Sequence, residues 1–203
     1  MQTTSERRFP EVRKCKELYK TGQNFLTLFA PQYQHAYCRE ANHRKIFLGN
    51  APTMDILEHT FGRDIAESWV EIQLNDLSEF SGAGEKLDRA RCRELARTII
   101  TAYPYLKASE LMFFFLLFKS GYYGKFYGTV DAMAVSEGLQ KFQRTRREFL
   151  ERYEREDEQE RETRERDESA ARAQAFYARL QAAGVTIEEW LKNPSMKLTP
   201  TSA

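Results

Sequence analysis

The sequence predicts an all-α protein. Apolar residues recur with helical rather than alternating spacing, Gly and Pro fall between the periodic segments, and the C-terminal quarter is rich in opposite charges four residues apart. With 203 residues the chain is long enough for one core of ordinary size and an appendage. We therefore expect a compact helical core, a long charged C-terminal helix and a short terminal helix.

A basic segment opens the chain. Residues 1–50 hold nine Lys/Arg and four Asp/Glu, a net charge of +5. Helices are predicted at about residues 10–20 and, less regularly, 32–44. We assign residues 1–49 to a basic N-terminal helical segment, either packed on the core or loosely attached to it.

The predicted core spans residues 50–153 and begins with a short helix. Thr53 is a good N-cap, Asp55 suits the positive first turn, and Gly62 suits the C-terminal end. In the next helix, residues 63–80, helical spacing predicts a broad apolar face formed by Ile65, Ala66, Trp69, Val70, Ile72, Leu77 and Phe80. The glycines of "SGAG" then break the chain.

The clearest amphipathic pattern lies in "EKLDRARCRELARTIITAYP". Its apolar positions fall at i, i+3, i+4, i+7, i+8 and i+11, and they are Cys92, Leu95, Ala96, Ile99, Ile100 and Tyr103. Pro104 ends this helix because proline cannot donate the next backbone hydrogen bond.

The segment "ASELMFFFLLFKSG" is apolar on nearly every side. A helix of this kind is normally the buried centre of a bundle, but a short Phe-rich run is also compatible with a buried strand. The helix-start character of Ser109 and Glu110 and the stop signal at Gly121 favour a helix.

Thr129 and Asp131 then open a helix that becomes strongly charged after Lys141. Between Arg155 and Ser169 there is no apolar residue, so this stretch cannot pack on a core. It is either a solvent-bridging helix or a disordered linker. Regular opposite-charge pairing, without Gly or Pro, favours the helix.

Apolar character returns near the C-terminus. Ala173, Phe176, Tyr177, Leu180 and Ala183 form a new face that Gly184 ends, and Thr186 with Glu189 forms a capping box for a short helix. We assign residues 154–203 to the charged helix and a small C-terminal helical unit. This unit is predicted to dock a protein partner.

Between the core helices lies "GYYGKFYG", residues 121–128. It does not match the phosphate-loop pattern, since Lys125 is followed by Phe126, and no strand clearly precedes it as a dinucleotide fingerprint requires. One interpretation is a tight corner in which Gly121, Gly124 and Gly128 supply backbone freedom and the aromatics pack. The other is a binding loop whose lysines attract phosphate and whose tyrosines stack on bases.

The second interpretation gains from a basic turn that follows. Residues 101–150 carry seven Lys/Arg and four Asp/Glu, a net charge of +3. The candidate nucleic-acid-binding residues are Lys119, Tyr122, Tyr123, Lys125, Tyr127, Lys141, Arg144, Arg146 and Arg147. Interleaved glutamates further along weaken this prediction.

Other chemistries find little support. His35, Cys38 and His43 lie near one another, but the second ligand pair of a zinc site is missing, so we expect no metal and no cofactor. The sequence also lacks a nucleophile elbow. Asp64, Glu67, Glu71, Asp76 and Glu79 are predicted to be a solvated helix face, and the protein is predicted not to be an enzyme.

Three cysteines, Cys15, Cys38 and Cys92, are odd in number and far apart, which indicates a reducing compartment without a disulfide framework. The N-terminus lacks the apolar segment of a signal peptide. The run "LMFFFLLF" is too short for a bilayer, which needs about 20 residues. We expect a cytoplasmic protein that does not bind a membrane.

Two motifs carry a resemblance to a known family. The order E-L-M-x-F-F at Glu110–Phe115, followed by F-K-x-G-x-Y-G-x-F-Y-G-x-V-D at Phe118–Asp131, is similar to a family of small helical proteins of unknown function from Bacteroidetes and their phages or mobile elements. The resemblance covers about residues 50–155 and implies a bacterial, cytosolic protein. It transfers no catalytic residue, and it places the basic N-terminus and the charged C-terminal helix outside the family's region.

Two functions follow from these patterns. The first is a non-enzymatic helical interaction or adaptor protein that binds a protein partner through its C-terminal helices. The alternative is a nucleic-acid-binding accessory protein, of the replication type, that uses the GYYGKFYG loop and the adjacent basic helix.

Overall fold

The computed structural model of the chain describes residues 4–40, 43–82, 86–124 and 130–195. In these ranges the regular elements are ten α-helices and one 3₁₀ turn at Pro31–Tyr33, so the all-α prediction is confirmed. The helices are α1 (Thr4–Tyr19), α2 (Gly22–Leu28), α3 (Gln34–Glu40), α4 (His43–Leu48), α5 (Met54–Phe61), α6 (Arg63–Phe80), α7 (Arg89–Ala102), α8 (Ala108–Lys119), α9 (Ala132–Ala182) and α10 (Ile187–Lys192).

The chain forms two compact units. Unit 1 is Met1–Leu150 and unit 2 is Glu151–Ala203, so α9 contributes to both. The predicted boundaries after residues 49 and 153 stay predictions.

The apolar helix α8 lies at the centre of unit 1. Nine of its twelve residues are buried, and it packs against α3, α4 and α6. Phe114 also contacts Phe142 of α9, with ring centroids 5.7 Å apart. Because this segment is apolar on all sides, burial as a helix removes most of its side chains from water, and the helix prediction is confirmed.

The N-terminal ends of α5 and α8 are joined to each other. The backbone N–H of Met54 donates to the carbonyl of Leu106 at 2.9 Å, and the N–H of Ala108 donates to the carbonyl of Pro52 at 2.9 Å. The first N–H groups of a helix have no partner inside it, so this exchange satisfies donors of both helices. The predicted N-cap Thr53 accepts from the N–H of Ile56 at 3.2 Å.

Helices α6 and α7 pack side by side. The prediction for α7 is confirmed at its core, because Cys92, Leu95, Ala96, Ile99 and Ile100 are buried. The predicted face of α6 is wrong at two positions. Ile72 is 39% exposed because it points away from the buried stripe, and Phe80 is 60% exposed because it is the last residue of the helix, beyond the core.

The N-terminal helices are packed rather than loosely attached. Helix α1 packs on α5, α2 on α6 and α3 on α8. Helix α2 and the 3₁₀ turn were not predicted, although Thr21 caps α2 by accepting a hydrogen bond from the N–H of Asn24.

The charged segment of α9 is helical. Helix α9 runs for 51 residues, and every side chain from residue 154 to residue 175 is exposed. The prediction of a solvated helix, rather than a disordered linker, is confirmed. Ion pairs such as Arg172–Glu168 at 3.4 Å lie along it, and pairs of this kind support an isolated helix by a few tenths of a kcal/mol each, roughly 0.2–0.5 kcal/mol.

All three cysteines are free thiols, and two of them, Cys15 and Cys92, are buried. None of the helices in the described ranges combines the length and apolar character needed to cross a membrane.

Candidate functional site

The first half of the glycine motif ends helix α8. Gly121 has a φ of 83°, its N–H donates to the carbonyl of Phe118 at 3.0 Å, and the N–H of Tyr122 donates to the carbonyl of Leu117 at 3.1 Å. This pair of bonds is a Schellman motif, which needs a left-handed residue and therefore favours glycine. The geometry supports the corner interpretation at this position.

The two described tyrosines of the motif differ in environment. Tyr123 packs against Phe114 and Phe118, with ring centroids 5.3 and 5.4 Å away, and burial beside Tyr122 raises the pKa of its phenol. Tyr122 is 62% exposed. Of this pair, therefore, Tyr122 is the side chain able to stack on a ligand.

Lys119 is held inside unit 1. Its side chain is 8% exposed, forms an ion pair with Asp76 of α6, and donates to Oε1 of Gln34 at 2.8 Å. Gln34 in turn donates to Oε1 of Gln73 at 2.6 Å, and Gln73 donates to the carbonyl of Phe29 at 2.8 Å. This polar chain ties α3 and α8 to α6 and neutralises the lysine.

Arg146 is also engaged internally. Its Nε donates to Oε1 of Glu110 at 2.9 Å, and its guanidinium lies 5.4 Å from the ring centroid of Tyr105. Glu110 is fully buried, and its Oε2 accepts from the backbone N–H of Lys107 at 2.9 Å. Burial raises the pKa of Glu110, while the bonds from Lys107 and Arg146 oppose that shift.

Three other cations of the predicted nucleic-acid site lie on the surface. Lys141, Arg144 and Arg147 are exposed on α9. Lys125 and Tyr127 lie outside the described residues. The nine predicted residues therefore include two internal cations, a packed tyrosine, an exposed tyrosine and three exposed cations, and the nucleic-acid site stays a prediction.

Two acidic residues of α6, Glu67 and Glu71, are paired with arginines rather than freely solvated. Glu67 is 8% exposed and accepts from Nε of Arg63 at 2.8 Å and from Nε of Arg97 at 3.1 Å. Burial alone would raise the pKa of Glu67, but the two arginines together lower it. Glu67 and Glu71, the second of which pairs with Arg93 at 3.4 Å, join α6 to α7 and correct the expectation of a solvated face at these two positions. Asp64 and Glu79 are exposed, as expected.

Unit 2 contains a helical hairpin, formed by the end of α9, the turn at residues 183–186, and α10. Gly184 has a φ of 65°, and the N–H of Val185 donates to the carbonyl of Leu180 at 3.0 Å, so a second Schellman motif ends α9. Thr186 caps α10, and its N–H donates to Oε2 of Glu189 at 2.8 Å. The predicted capping box is confirmed.

The hairpin has a small interior and an apolar exterior. Leu180 is 2% exposed, and the rings of Phe176 and Trp190 meet edge to face at 4.9 Å. Three large apolar side chains remain outside: Tyr177 is 50% exposed, Ile187 is 42% exposed and Leu191 is 64% exposed. Ile187 and Leu191 are one turn apart and so share a face of α10.

Comparison with known proteins decides the family. The sequence profile of DUF6633, a family of unknown function, matches residues 86–199. That range is more than half of the 203-residue chain. The chain belongs to the DUF6633 family. No curated protein and no solved structure is significantly similar to it.

The DUF6633 match changes the extent of the expected resemblance. It runs from α7 through α8 and α9 to α10, whereas the resemblance was expected to cover about residues 50–155. The charged helix and the hairpin therefore lie inside the family's region, which corrects the expectation that the charged C-terminal helix lies outside it. Membership in a family of unknown function is confirmed, and the source organisms stay a prediction.

Proposed function

We propose that this DUF6633 protein is a non-enzymatic adaptor that binds a protein partner with its α9–α10 hairpin. The observation that carries the proposal is the exposure of Tyr177, Ile187 and Leu191 on a hairpin that follows a fully exposed, charged helical stretch. A segment with so few buried side chains can hold its own turn and still offer apolar surface to another chain.

The chemistry of the hairpin suggests the kind of partner. Ile187 and Leu191 present an apolar ridge of the kind that inserts into a groove between helices of another protein. Residues 151–203 carry nine Lys/Arg and twelve Asp/Glu, a net charge of −3. A groove with a basic rim would complement this charge and speed association.

Deleting residues 156–203 tests the proposal. Wild-type and truncated proteins are used as bait in quantitative affinity capture, and circular dichroism confirms that the truncated chain is folded. The adaptor proposal expects the partners of the wild-type bait to be absent from the truncated bait. An unchanged set of partners would refute it.

A nucleic-acid-binding accessory is the second candidate. It is supported by the exposed cations Lys141, Arg144 and Arg147 on α9 and by the exposed ring of Tyr122. Cations on an exposed helix face can contact phosphates, and an exposed tyrosine can stack on a base. Internal pairing of Lys119 and Arg146 leaves this candidate with fewer contacts than the sequence predicted.

Fluorescence anisotropy distinguishes the second candidate. Labelled single- and double-stranded DNA and RNA are titrated at low and moderate salt with wild type and with K141E/R144E/R147E. The matched control, R155E/R164E/R166E, makes the same charge change further along α9, where these arginines are also exposed. Salt-sensitive binding lost in the first variant alone would support nucleic-acid recognition, and equal binding by all three proteins would refute it.

We also propose that the protein works in the bacterial cytoplasm and is encoded by a mobile element of Bacteroidetes. The compartment is supported by the three free thiols, since such thiols persist in reducing surroundings. The source is supported by the motifs at Glu110–Phe115 and Phe118–Asp131. Fractionation of the native host would test the compartment.

A further inference from the structure

A partly enclosed cavity of about 270 Å³ lies in unit 1. Its walls come from α1, from the segment between α4 and α5, and from the first residue before α8. The polar side chains that line it include Glu11, Lys14, Asn50 and Lys107. Liquid water occupies about 30 Å³ per molecule, so the cavity has room for roughly nine waters or a small organic molecule.

The two lysines of the cavity have neutral partners. Nζ of Lys107 donates to the backbone carbonyl of Gly49 at 2.8 Å, and Nζ of Lys14 donates to Oδ1 of Asn50 at 3.0 Å. Within the described ranges, neither ammonium has a carboxylate at ion-pair distance, whereas Arg63, Arg97, Lys119 and Arg146 each do. Each ammonium has three donors, so each retains hydrogen-bonding capacity.

The charge and the burial of Lys107 both favour binding of an anion beside it. Burial lowers the pKa of Lys107, although Glu110 and Glu11 oppose that shift. Glu110 is already bonded to Arg146, so its charge is balanced. The lining then has two lysines against the carboxylate of Glu11, a formal charge of +1, and an anion would stabilise the charged form of Lys107.

An apolar rim completes the cavity. Leu18 and Leu48 line it, yet they are 53% and 45% exposed. Glu11, Lys14 and Leu18 lie at i, i+3 and i+7, so one face of α1 presents charge and apolar surface to the same space. A bound molecule with an apolar body would cover the leucines.

The part of the cavity lining formed by Thr53 and Lys107 is held in place by backbone hydrogen bonds. Thr53 and Lys107 form a backbone bridge, flanked by the crossed hydrogen bonds that join the N-terminal ends of α5 and α8. At Gly49 a Cβ atom would lie 2.2 Å from the carbonyl oxygen of Lys45, so a side chain there would force the backbone to move. The carbonyl of Gly49 is the group that accepts the hydrogen bond from Lys107.

From this arrangement we infer that the cavity binds a small molecule with an oxyanion, a carboxylate or a phosphate, held by Lys14 and Lys107, and with an apolar body against Leu18 and Leu48. The site is independent of the hairpin, because its lining lies in unit 1. It assigns a ligand class to a part of the chain that the adaptor proposal does not use.

Isothermal titration calorimetry with the full chain tests the site. The probes are inorganic phosphate, butyrate and hexanoate, each at constant ionic strength with chloride as the balancing ion. A carboxylate with an apolar tail is expected to bind most tightly, hexanoate above butyrate, if the leucines contact the ligand. Phosphate binding more tightly than either would assign the oxyanion to a phosphate instead.

Lys14→Gln is the decisive variant, because Lys14 is exposed and its loss should leave the fold intact. It is expected to weaken binding of the best probe roughly 10- to 100-fold, as removal of a charged hydrogen bond does. Lys16→Gln is the matched control, on the same helix and exposed but outside the lining. In amide NMR spectra the signals of Gly49 and Asn50 should shift with wild type. Absence of binding by every probe, or equal binding by both variants, would overturn the inference.

Discussion

Lys119 and Arg146 are each paired with a carboxylate that is distant in sequence, and this ion pair makes the cation unavailable to a ligand. Lys119 pairs with Asp76, 43 residues away in sequence, and Arg146 pairs with Glu110, 36 residues away. Local sequence shows two basic side chains near a glycine motif, but it does not show these partners. The cations of the motif could therefore be predicted, whereas their neutralisation could not.

The reactivity of the Cys38 thiol depends on the surroundings of that one residue. Partial burial raises the pKa of Cys38 to about 11, so little of it is thiolate near neutral pH. Alkylation of Cys38 by iodoacetamide at pH 8 should be roughly 10- to 100-fold slower in the folded chain than in urea, after allowance for the higher intrinsic nucleophilicity of a more basic thiolate. Mass spectrometry of timed samples measures this ratio, and the folded rate should climb as pH rises. Equal rates in the two states would contradict the burial of this thiol.

Gly138 permits the close approach of α9 to α8. A Cβ atom at this position would lie 2.7 Å from a ring carbon of Phe118, which is itself packed against Phe114 and Tyr123. Gly138→Ala is expected to destabilise unit 1 by about 1–2 kcal/mol, because overpacking exceeds the gain of up to about 1 kcal/mol in helix propensity. Urea unfolding measures the change. Gln140→Ala, at an exposed position of the same helix, is the control, and a stabilised Gly138→Ala variant would show that the ring can yield.

At the scale of elements, the α6–α7 pair depends on Glu67. Its pKa is lowered from the ordinary value of 4.5 by Arg63 and Arg97 despite burial. A lowered carboxyl pKa gives stability that is present above the unfolded value and is lost as pH falls through the folded value. Glu67→Gln should therefore cost about 1–3 kcal/mol at pH 7, and the difference from wild type should shrink as pH falls below 4.5.

Urea unfolding of wild type and Glu67→Gln between pH 3 and pH 7 tests this element-scale account. Glu94→Gln is a suitable control, since Glu94 is exposed on α7. A difference that stays constant with pH would mean that poor packing of the introduced amide, rather than loss of the carboxylate charge, explains the Glu67 result.

The sequence predicted helices correctly where the capping residues and the apolar periodicity agreed. Thr53, Thr186 and Gly184 mark helix ends in sequence and do so in the structure. Helix α2 escaped prediction because it is seven residues long, with Phe25 as its one fully buried apolar side chain, too short for a periodic pattern. On α6, buried Gln73 was missed because its partners Gln34 and Phe29 are brought to it only by the fold.

At the scale of the whole molecule, the hairpin of unit 2 could be predicted from the sequence, whereas the cavity of unit 1 could not. The apolar face that includes Tyr177 was expected from renewed apolar spacing after Ser169, since that signal is local, whereas Ile187 and Leu191 were not singled out. The cavity beside Lys14 and Lys107 was not, because its lining joins residues from Glu11 to Lys107 that no local pattern connects.

The division into two units predicts the behaviour of truncated protein. A chain that ends at residue 155 retains all of unit 1, including the buried helix α8, and should unfold cooperatively with a midpoint in urea close to that of the full chain. Far-UV circular dichroism should lose the helical signal of the deleted part of α9 and of α10. A truncated chain that is unfolded would show that unit 1 depends on the residues removed.

The most direct measurement of the adaptor claim is quantitative affinity capture by the full chain carrying Leu191→Ser, compared with Leu28→Ser. The two leucines are similarly exposed, at 64% and 58%, but Leu191 lies on the hairpin and Leu28 at the end of α2. Partners captured by wild type should be lost from Leu191→Ser and retained by Leu28→Ser. Equal capture by both variants would contradict the assignment of the hairpin as the docking surface.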